Sequence, residues 1–374
     1  MSRLNINRLT NENEDGSPKI TGITTFSSNA FLEAPKGSTA QRPENVAPGM
    51  IRFNTDSGHL EYYTGEFWDE VLVANNTLDG GNRGVFAGGS PATNTIDYVT
   101  ISTTGNTIDF GDLLGTKAQG GGLSSATRGL YAGGENPAAI NTIDYITISS
   151  TGNAADFGDL TQARRRFQNA GLSNSTRGVW SGGYSPVTFN IIDYVTIAST
   201  GNAQDFGDLL QITESLACCS SSTRGIIAGG RSQPANLPFN VIQFITISTT
   251  GNATDFGDLL NSRFGLSSCS NSTRGLFAGG NVPSAPTARQ NTIDFVTIAS
   301  TGNAQDFGDL LTATEYNTSC SGSTRGVFGG GNVPTIQNVI EYVSILSTGN
   351  SQDFGDLTVS RQEFSAFSNG HGGL

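Results

Sequence analysis

From residue 83 onward the apolar positions come in short bursts, and the bursts recur. The fifth copy reads "TRGLFAGG", a Pro-bearing loop, "NTIDFVTIAS", "TGNAQDFGDLL", then a looser segment ending "SCSGS". "RGLFAGG" predicts a short apolar strand ended by a glycine pair, which permits positive φ or close backbone approach. "TIDFVTIAS" alternates in part and is rich in β-branched and aromatic residues, so it predicts a second strand. Gly-Asn in "TGN" predicts a two-residue hairpin. "DFGDLL" predicts a third strand around a large anchor, and a segment such as "FGLSSCSNS" a fourth.

The period carries more information than any one copy. Arg-Gly pairs begin at Arg83, Arg128, Arg177, Arg224, Arg274 and Arg325, spaced by 45, 49, 47, 50 and 51 residues. A period in that range belongs to a solenoid, an array or a propeller blade. Asp-Phe-Gly-Asp-Leu recurs with Phe110, Phe157, Phe206, Phe256, Phe307 and Phe354 at its centre. Asp-Phe-Gly holds magnesium in protein kinases, but a catalytic ligand would occur once. The chain has no glycine-rich phosphate loop ahead of V-A-I-K and no H-R-D. Burying a Phe contributes about 1.5–3 kcal/mol, and a place between neighbouring sheets explains its retention in all six copies.

Gly279-Gly280 ending a strand, Phe295 in the next and Phe307 beyond it resemble the kelch repeat, over roughly residues 80–374. The family usually places Trp where Phe307 stands. The resemblance implies a six-bladed kelch-like β-propeller, in which short protected edges follow from radial packing. In kelch phase each blade runs a (loose), b (Arg-Gly), c and d (Asp-Phe-Gly). The chain ends in "SRQEFSAFSNGHGGL", so residues 362–369 form a strand a without a blade of their own, expected to complete blade one. The c–d turn is uniform and the b–c loops vary, which points to recognition on one face. Its candidate residues are Pro91, Asn136, Tyr184, Phe189, Arg231, Phe239, Arg289 and Pro334. The Arg of each Arg-Gly is expected to pair with the first Asp of Asp-Phe-Gly in its own blade (Asp109, Asp156, Asp205, Asp255, Asp306, Asp353). One position breaks the register: Gln243 stands where other copies have Asp97, Asp144, Asp193, Asp294 or Glu341.

Composition narrows the classes. Charged residues are 14%, glycines number 49 and the net charge is −12. Such a chain suits strands and turns rather than helices. It lacks the clustered Lys and Arg that nucleic acid requires. No apolar run of membrane-spanning length occurs, and the N-terminus has no secretory h-region. Neither a nucleic-acid nor a membrane partner is expected. Cys219, Cys269 and Cys320 occupy a slot that holds Leu123 and Leu172 in other copies, which predicts buried apolar thiols. His59 and His371 are the only histidines, and no G-x-S-x-G, H-E-x-x-H or Walker sequence occurs. No enzyme activity, metal or cofactor is expected.

The first 80 residues do not repeat. "NENEDG" matches half a calcium loop, but Gly22 stands where the bidentate Glu belongs, so a turn is expected. "MIRFNT" and "HLEYYTG", joined by "DSG" and followed by Trp68, predict a small β-meander. The resulting division is an extended arm (1–43), the meander (44–78) and the propeller (79–374). Arg42-Pro43, Gly49, Ile51–Thr55 with Phe53, Glu61-Tyr62, Gly65 and Trp68 resemble a module of phage tail-fibre and other virion proteins, notably of cyanophages. That resemblance implies a structural protein of a tailed-phage virion, assembled in the bacterial cytoplasm. Residues 1–78 would attach it to other virion proteins through Arg42, Pro43, Phe53, Tyr62 and Trp68, in a homo-oligomer such as a trimer. The b–c loops would meet a host surface glycan or protein. The alternatives are a capsid or neck decoration protein without receptor binding, and a non-viral kelch-type scaffold.

Overall fold

A computed structural model describes residues 34–71, 82–283 and 288–374. Among these residues the chain is all-β, with one 3-10 turn and no α-helix. It divides into two compact units, Met1–Asn75 and Asn76–Leu374. The larger unit holds six four-stranded antiparallel sheets and two short ribbons, and no sheet pairs its own edges. The third sheet is typical: Gly171–Ser173, Arg177–Ser181, Ile191–Thr196 and Gln204–Asp208 serve as a, b, c and d in order. The first sheet takes Arg83–Ala87, Thr93–Thr100 and Ile108–Lys117 as b to d, and its strand a is the C-terminal Ser365–Ser368, with Ser365 opposite Ala87.

Asp-Phe-Gly owes its recurrence to a bulge. In the second sheet Ile143 faces Gly158 and Asp144 faces Asp156, so Phe157 is the extra residue. All six sheets repeat this register shift. A bulge re-aims a side chain. Here it turns each Phe edge-on to the aromatic of strand c, as in Tyr145 and Phe157 with centroids 6.0 Å apart. The following glycine is required by the neighbour. Gly111 has φ +144°, and a Cβ there would lie 2.5 Å from the carbonyl oxygen of Gly152 in the next sheet.

That approach corrects the expected hairpin. "TGN" is not a two-residue turn; residues 148–154 form a longer link that reaches the adjacent sheet. Gly152 N–H donates to Phe110 O (2.8 Å), Ala154 N–H to Asp112 O (2.8 Å) and Asp112 N–H to Asn153 Oδ1 (3.1 Å). The same bonds run from each sheet to the next. They also join the first to the sixth, through Gly105 N–H to Phe354 O (2.7 Å) and Asp356 N–H to Asn106 Oδ1 (3.0 Å). The outer edge strand, otherwise a template for aggregation, is thereby covered.

The expected pairing of each Arg-Gly arginine with its own Asp-Phe-Gly aspartate does not occur. Those aspartates are exposed. The guanidinium instead stacks on the strand-c aromatic, as Arg177 does 4.4 Å from the Tyr194 centroid. It donates to a carbonyl of the following sheet, Ile247 O at 2.9 Å for Arg177. A planar, delocalised cation satisfies both contacts at once. The glycine beside it admits a neighbour: a Cβ on Gly275 would lie 2.7 Å from Cys219 Sγ. All four cysteines are buried, and for Cys219, Cys269 and Cys320 that is what the slot shared with Leu predicts.

Buried ion pairs tie sheets together six residues after the Asp-Phe-Gly glycine. Lys117 reaches Asp144 (2.7 Å), Arg164 reaches Asp193 (2.9 Å), Arg263 reaches Asp294 (3.0 Å) and Arg361 reaches Asp97 (2.7 Å), each across to the next sheet. Every arginine among them also donates to three backbone carbonyls there; for Arg263 these belong to Gly279, Thr292 and Phe277.

The smaller unit holds a four-stranded sheet of Lys36–Gly37, Ile51–Asn54, His59–Tyr63 and Trp68–Val71. The first pair is parallel. The meander therefore begins before residue 44, because Pro35 and Gly37 carbonyls accept from Phe53 and Thr55 N–H (2.7 and 3.0 Å). The rest of the expected arm, residues 1–33, lies outside the described residues, as do 72–81. One sheet face carries a polar clamp. Glu61, fully buried, takes Arg42 in two bonds (2.6 and 3.3 Å) and Asn54 Nδ2 (3.1 Å). Arg42 holds the Glu61 carboxyl below the usual carboxylate range.

Candidate functional site

Strand a of every sheet runs along one central space, and its two ends are built differently. At the far end each strand closes on a serine, four residues before an Arg-Gly pair wherever one follows. Ser173 Oγ donates to Ser124 O (2.6 Å), Ser220 to Ser173 (2.8 Å), Ser270 to Ser220 (2.7 Å), Ser321 to Ser270 (2.7 Å), Ser368 to Ser321 (2.5 Å) and Ser124 to Ser368 (2.6 Å). The bonds form a cycle of six. Only a side chain with one short donor fits every link. The segment after Ser368 folds over this cycle. His371 Nε2 lies 3.0 Å from Ser124 O, and Gly372 N–H donates to Ser270 O (3.0 Å). Burial lowers the His371 pKa, so the ring is neutral there.

At the start of strand a lies a second cycle, made of backbone. Gln119 N–H donates to Glu363 O (2.8 Å), Phe167 N–H to Gln119 O (3.3 Å) and Ser215 N–H to Arg166 O (2.7 Å). Gly265 N–H then donates to Ser215 O (2.9 Å), Tyr316 N–H to Gly265 O (2.7 Å) and Glu363 N–H to Tyr316 O (3.0 Å). Gln119, Arg166, Ser215, Gly265, Tyr316 and Glu363 all have φ between +53° and +65°. Five of them pay the steric cost of the left-handed region, a strain that clusters at functional sites. The left-handed backbone recurs six times, yet no two side chains agree.

The preceding residues repeat the theme. Ala118, Arg165, Glu214, Phe264, Glu315 and Gln362 each bridge the residue after a glycine pair: Glu135, Tyr184, Arg231, Asn281, Asn332 and Ser90. Glu214, fully buried, binds Arg231 (2.9 Å) and Arg166 (3.1 Å). Arg165 pairs with Glu135, and Arg289 with Glu315 at 3.1 Å. Arg231 lies over Phe264 (3.9 Å) and Arg166 over Tyr184 (4.8 Å). Gln119 Nε2 donates to Glu363 (3.0 Å), while the buried Gln119 Oε1 and Gln362 Oε1 have no partner. Burial raises the Glu363 carboxyl and pushes the Tyr316 hydroxyl up to about 12. Arg165, Arg166, Arg231 and Arg289 balance Glu135, Glu214, Glu315 and Glu363, so the rim carries no charge bias.

Below this mouth the space is blocked. Repeat two carries two extra residues after Arg166, and Asn169 within them crosses to Leu266 O and Asn317 O (both 2.9 Å) and accepts from Thr318 (2.8 Å). A cavity of about 60 Å³, lined by Ser268, Ser319 and Cys218 among others, lies along the strands. That is room for water only. The mouth is thus a dish, not a pore.

Among the loop candidates, Tyr184, Arg231 and Arg289 belong to this rim. Asn136 is exposed and donates to Thr116 O (2.8 Å); Pro91 and Pro334 are exposed at loop tips; Phe189 and Phe239 are half-buried. Part of the fifth b–c loop, 284–287, lies outside the described residues. The mouth residues themselves were missed. Their signal was present: eight residues after each Asp-Phe-Gly glycine stand Gln, Arg, Ser, Gly, Tyr and Glu. In the smaller unit Phe53 and Tyr62 are exposed on one sheet face with Ile51 (38, 37 and 54%), Pro43 is exposed, Trp68 is half-buried against Tyr63, and Arg42 is spent on Glu61. Among the described residues no cluster of His, Cys, Asp or Glu is arranged for a metal. The chain matches no protein-family model and no curated protein sequence.

Proposed function

We propose that the six sheets are the blades of a six-bladed kelch-like β-propeller, and that its mouth recognises a ligand on a host cell surface. The propeller reading is supported by three cycles of hydrogen bonds that each visit all six sheets: serines at one end, backbone at the other, and "TGN" links outside. The recognition reading rests on one observation: six backbone positions of the same conformation carry six different side chains, while the Arg-Gly and Asp-Phe-Gly strands of the same repeats agree. A rigid scaffold with non-repeating groups is how binding surfaces are built. A glycan suits this dish better than a charged ligand. Its hydroxyls match the amide, carboxylate and guanidinium groups, its apolar faces match Tyr184 and Tyr316, and the rim has no net charge to satisfy.

In this proposal residues 1–78 attach the propeller to a tailed-phage virion, by resemblance of Arg42 to Trp68 to tail-fibre modules. The exposed Ile51, Phe53 and Tyr62 face gives such contact an apolar surface. Locating the chain in a cryo-EM map of intact particles tests the whole reading. A propeller on the tail with its mouth outward supports it, and Tyr316→Ala with Arg231→Ala should then abolish adsorption. A buried mouth on capsid or neck makes it a decoration protein, and absence from particles ends the virion reading.

A further inference from the structure

The position six residues after each Asp-Phe-Gly glycine reads Lys117, Arg164, Thr213, Arg263, Thr314 and Arg361. Its partner on the next sheet reads Asp144, Asp193, Gln243, Asp294, Glu341 and Asp97. Four junctions pair a buried cation with a buried carboxylate. One pairs neutral with neutral, so Gln243 is no stray break; it answers Thr213. Only the junction between the fifth and sixth sheets keeps a carboxylate, Glu341, 7% exposed, after losing the cation. An unpaired buried charge is costly.

The two threonines also turn opposite ways. Thr213 binds Gln211 O with its hydroxyl (3.1 Å) and presses its methyl toward Gly230. Thr314 directs its hydroxyl toward Gly331 of the sixth sheet, where that oxygen, 2% exposed in residue terms, has no partner. Three residues on, where the other junctions have Gly120, Phe167, Leu216, Leu266 or Phe364, stands Asn317, 1% exposed and with neither amide atom partnered. The carbonyls that receive Arg263 in its junction correspond here to Phe328, Gly330 and Val339. Glu341 takes Leu311 N–H (2.7 Å) and the Ser351 hydroxyl on the same oxygen, Oε2.

We infer that this junction binds a monovalent metal cation, sodium or potassium, through Glu341, the Thr314 hydroxyl and the Asn317 amide oxygen, in the place a guanidinium fills elsewhere. Oxygen donors select hard cations. One carboxylate matches a single positive charge, as in the sibling junctions, and does not suffice for calcium. Burial that raises the Glu341 carboxyl in the bare protein supports the need for a counter-charge.

Thermal unfolding of the full chain at neutral pH, in sodium, potassium or choline chloride of equal ionic strength, tests this. Tm should be about 2–4 °C higher in one alkali salt than in choline. Thr314→Arg should raise Tm in choline and erase the dependence on salt identity, while Thr213→Arg in the neutral junction should leave that dependence in place. Equal Tm values in the three salts, or a dependence that persists in Thr314→Arg or Glu341→Gln, overturn the assignment. Crystals grown in the alkali salt that raises Tm, with rubidium standing in for potassium, give a reading that needs no variant: density for an ion beside Glu341, anomalous in the rubidium case, is expected, and its absence overturns the site.

Discussion

The two ends of strand a, a few residues apart, obey opposite rules. At one end Ser124, Ser173, Ser220, Ser270, Ser321 and Ser368 are identical and bond through side chains. At the other, Gln119 to Glu363 bond through backbone and differ in every side chain. In the serine cycle the side chain carries the link between sheets, and it does not vary. Where the backbone carries it, the side chain is released for other work. The contrast teaches that variability in a repeat is informative only once the source of the structural bonds is known.

Removing the constant end should do most damage. Deleting residues 365–374 takes strand a from the first sheet together with the segment over the serine cycle. The expected outcome is loss of cooperative unfolding and of soluble yield, read by circular dichroism. Gly275→Val comes next. The added carbons meet Cys219 Sγ, and overpacking should lower stability by about 1–3 kcal/mol in denaturant melts. Ser270→Ala removes one link of the cycle and should cost about 1 kcal/mol. Ser270→Ala should leave ligand binding unchanged.

Acidity separates the ends by sign. His371 has a lowered pKa in the fold, so the unfolded chain takes the proton first. Stability should fall as pH drops below about 6.5, and His371→Ala should remove that slope. Glu363 has a raised pKa, so its favourable contribution is full below the unfolded value of 4.5 and is lost as pH rises through the folded value. Glu363→Gln should therefore raise Tm at neutral pH and match the parent in acid. The smallest effect on stability belongs to Tyr316→Ala, which should shift Tm little while weakening surface adsorption. A large Tm loss with adsorption intact would collapse the contrast between the ends.

The period, the four strands per copy, the C-terminal strand beside Arg83–Ala87 and the buried cysteines were all legible, because each follows from local pattern repeated six times. The pairing of Arg83 and its counterparts was misread. Their true partners, the strand-c ring and a carbonyl of the following sheet, such as Ile197 O for Arg128 or Ile101 O for Arg325, leave no local signature. "TGN" was misread for the same reason: a Gly-Asn hairpin and a Gly-Asn clasp on a neighbouring sheet have one spelling.

By itself, then, the chain determined which segments are strands and that they come in six like sets. Strand propensity and periodicity act over a few residues. Only tertiary structure decided that Asp-Phe-Gly is a bulge pressed against the next sheet, that Gln243 answers Thr213, and that six unlike residues share one mouth. Those relations join residues some thirty to two hundred and fifty positions apart, and their energies come from burial and hydrogen bonds that exist only once the sheets are packed.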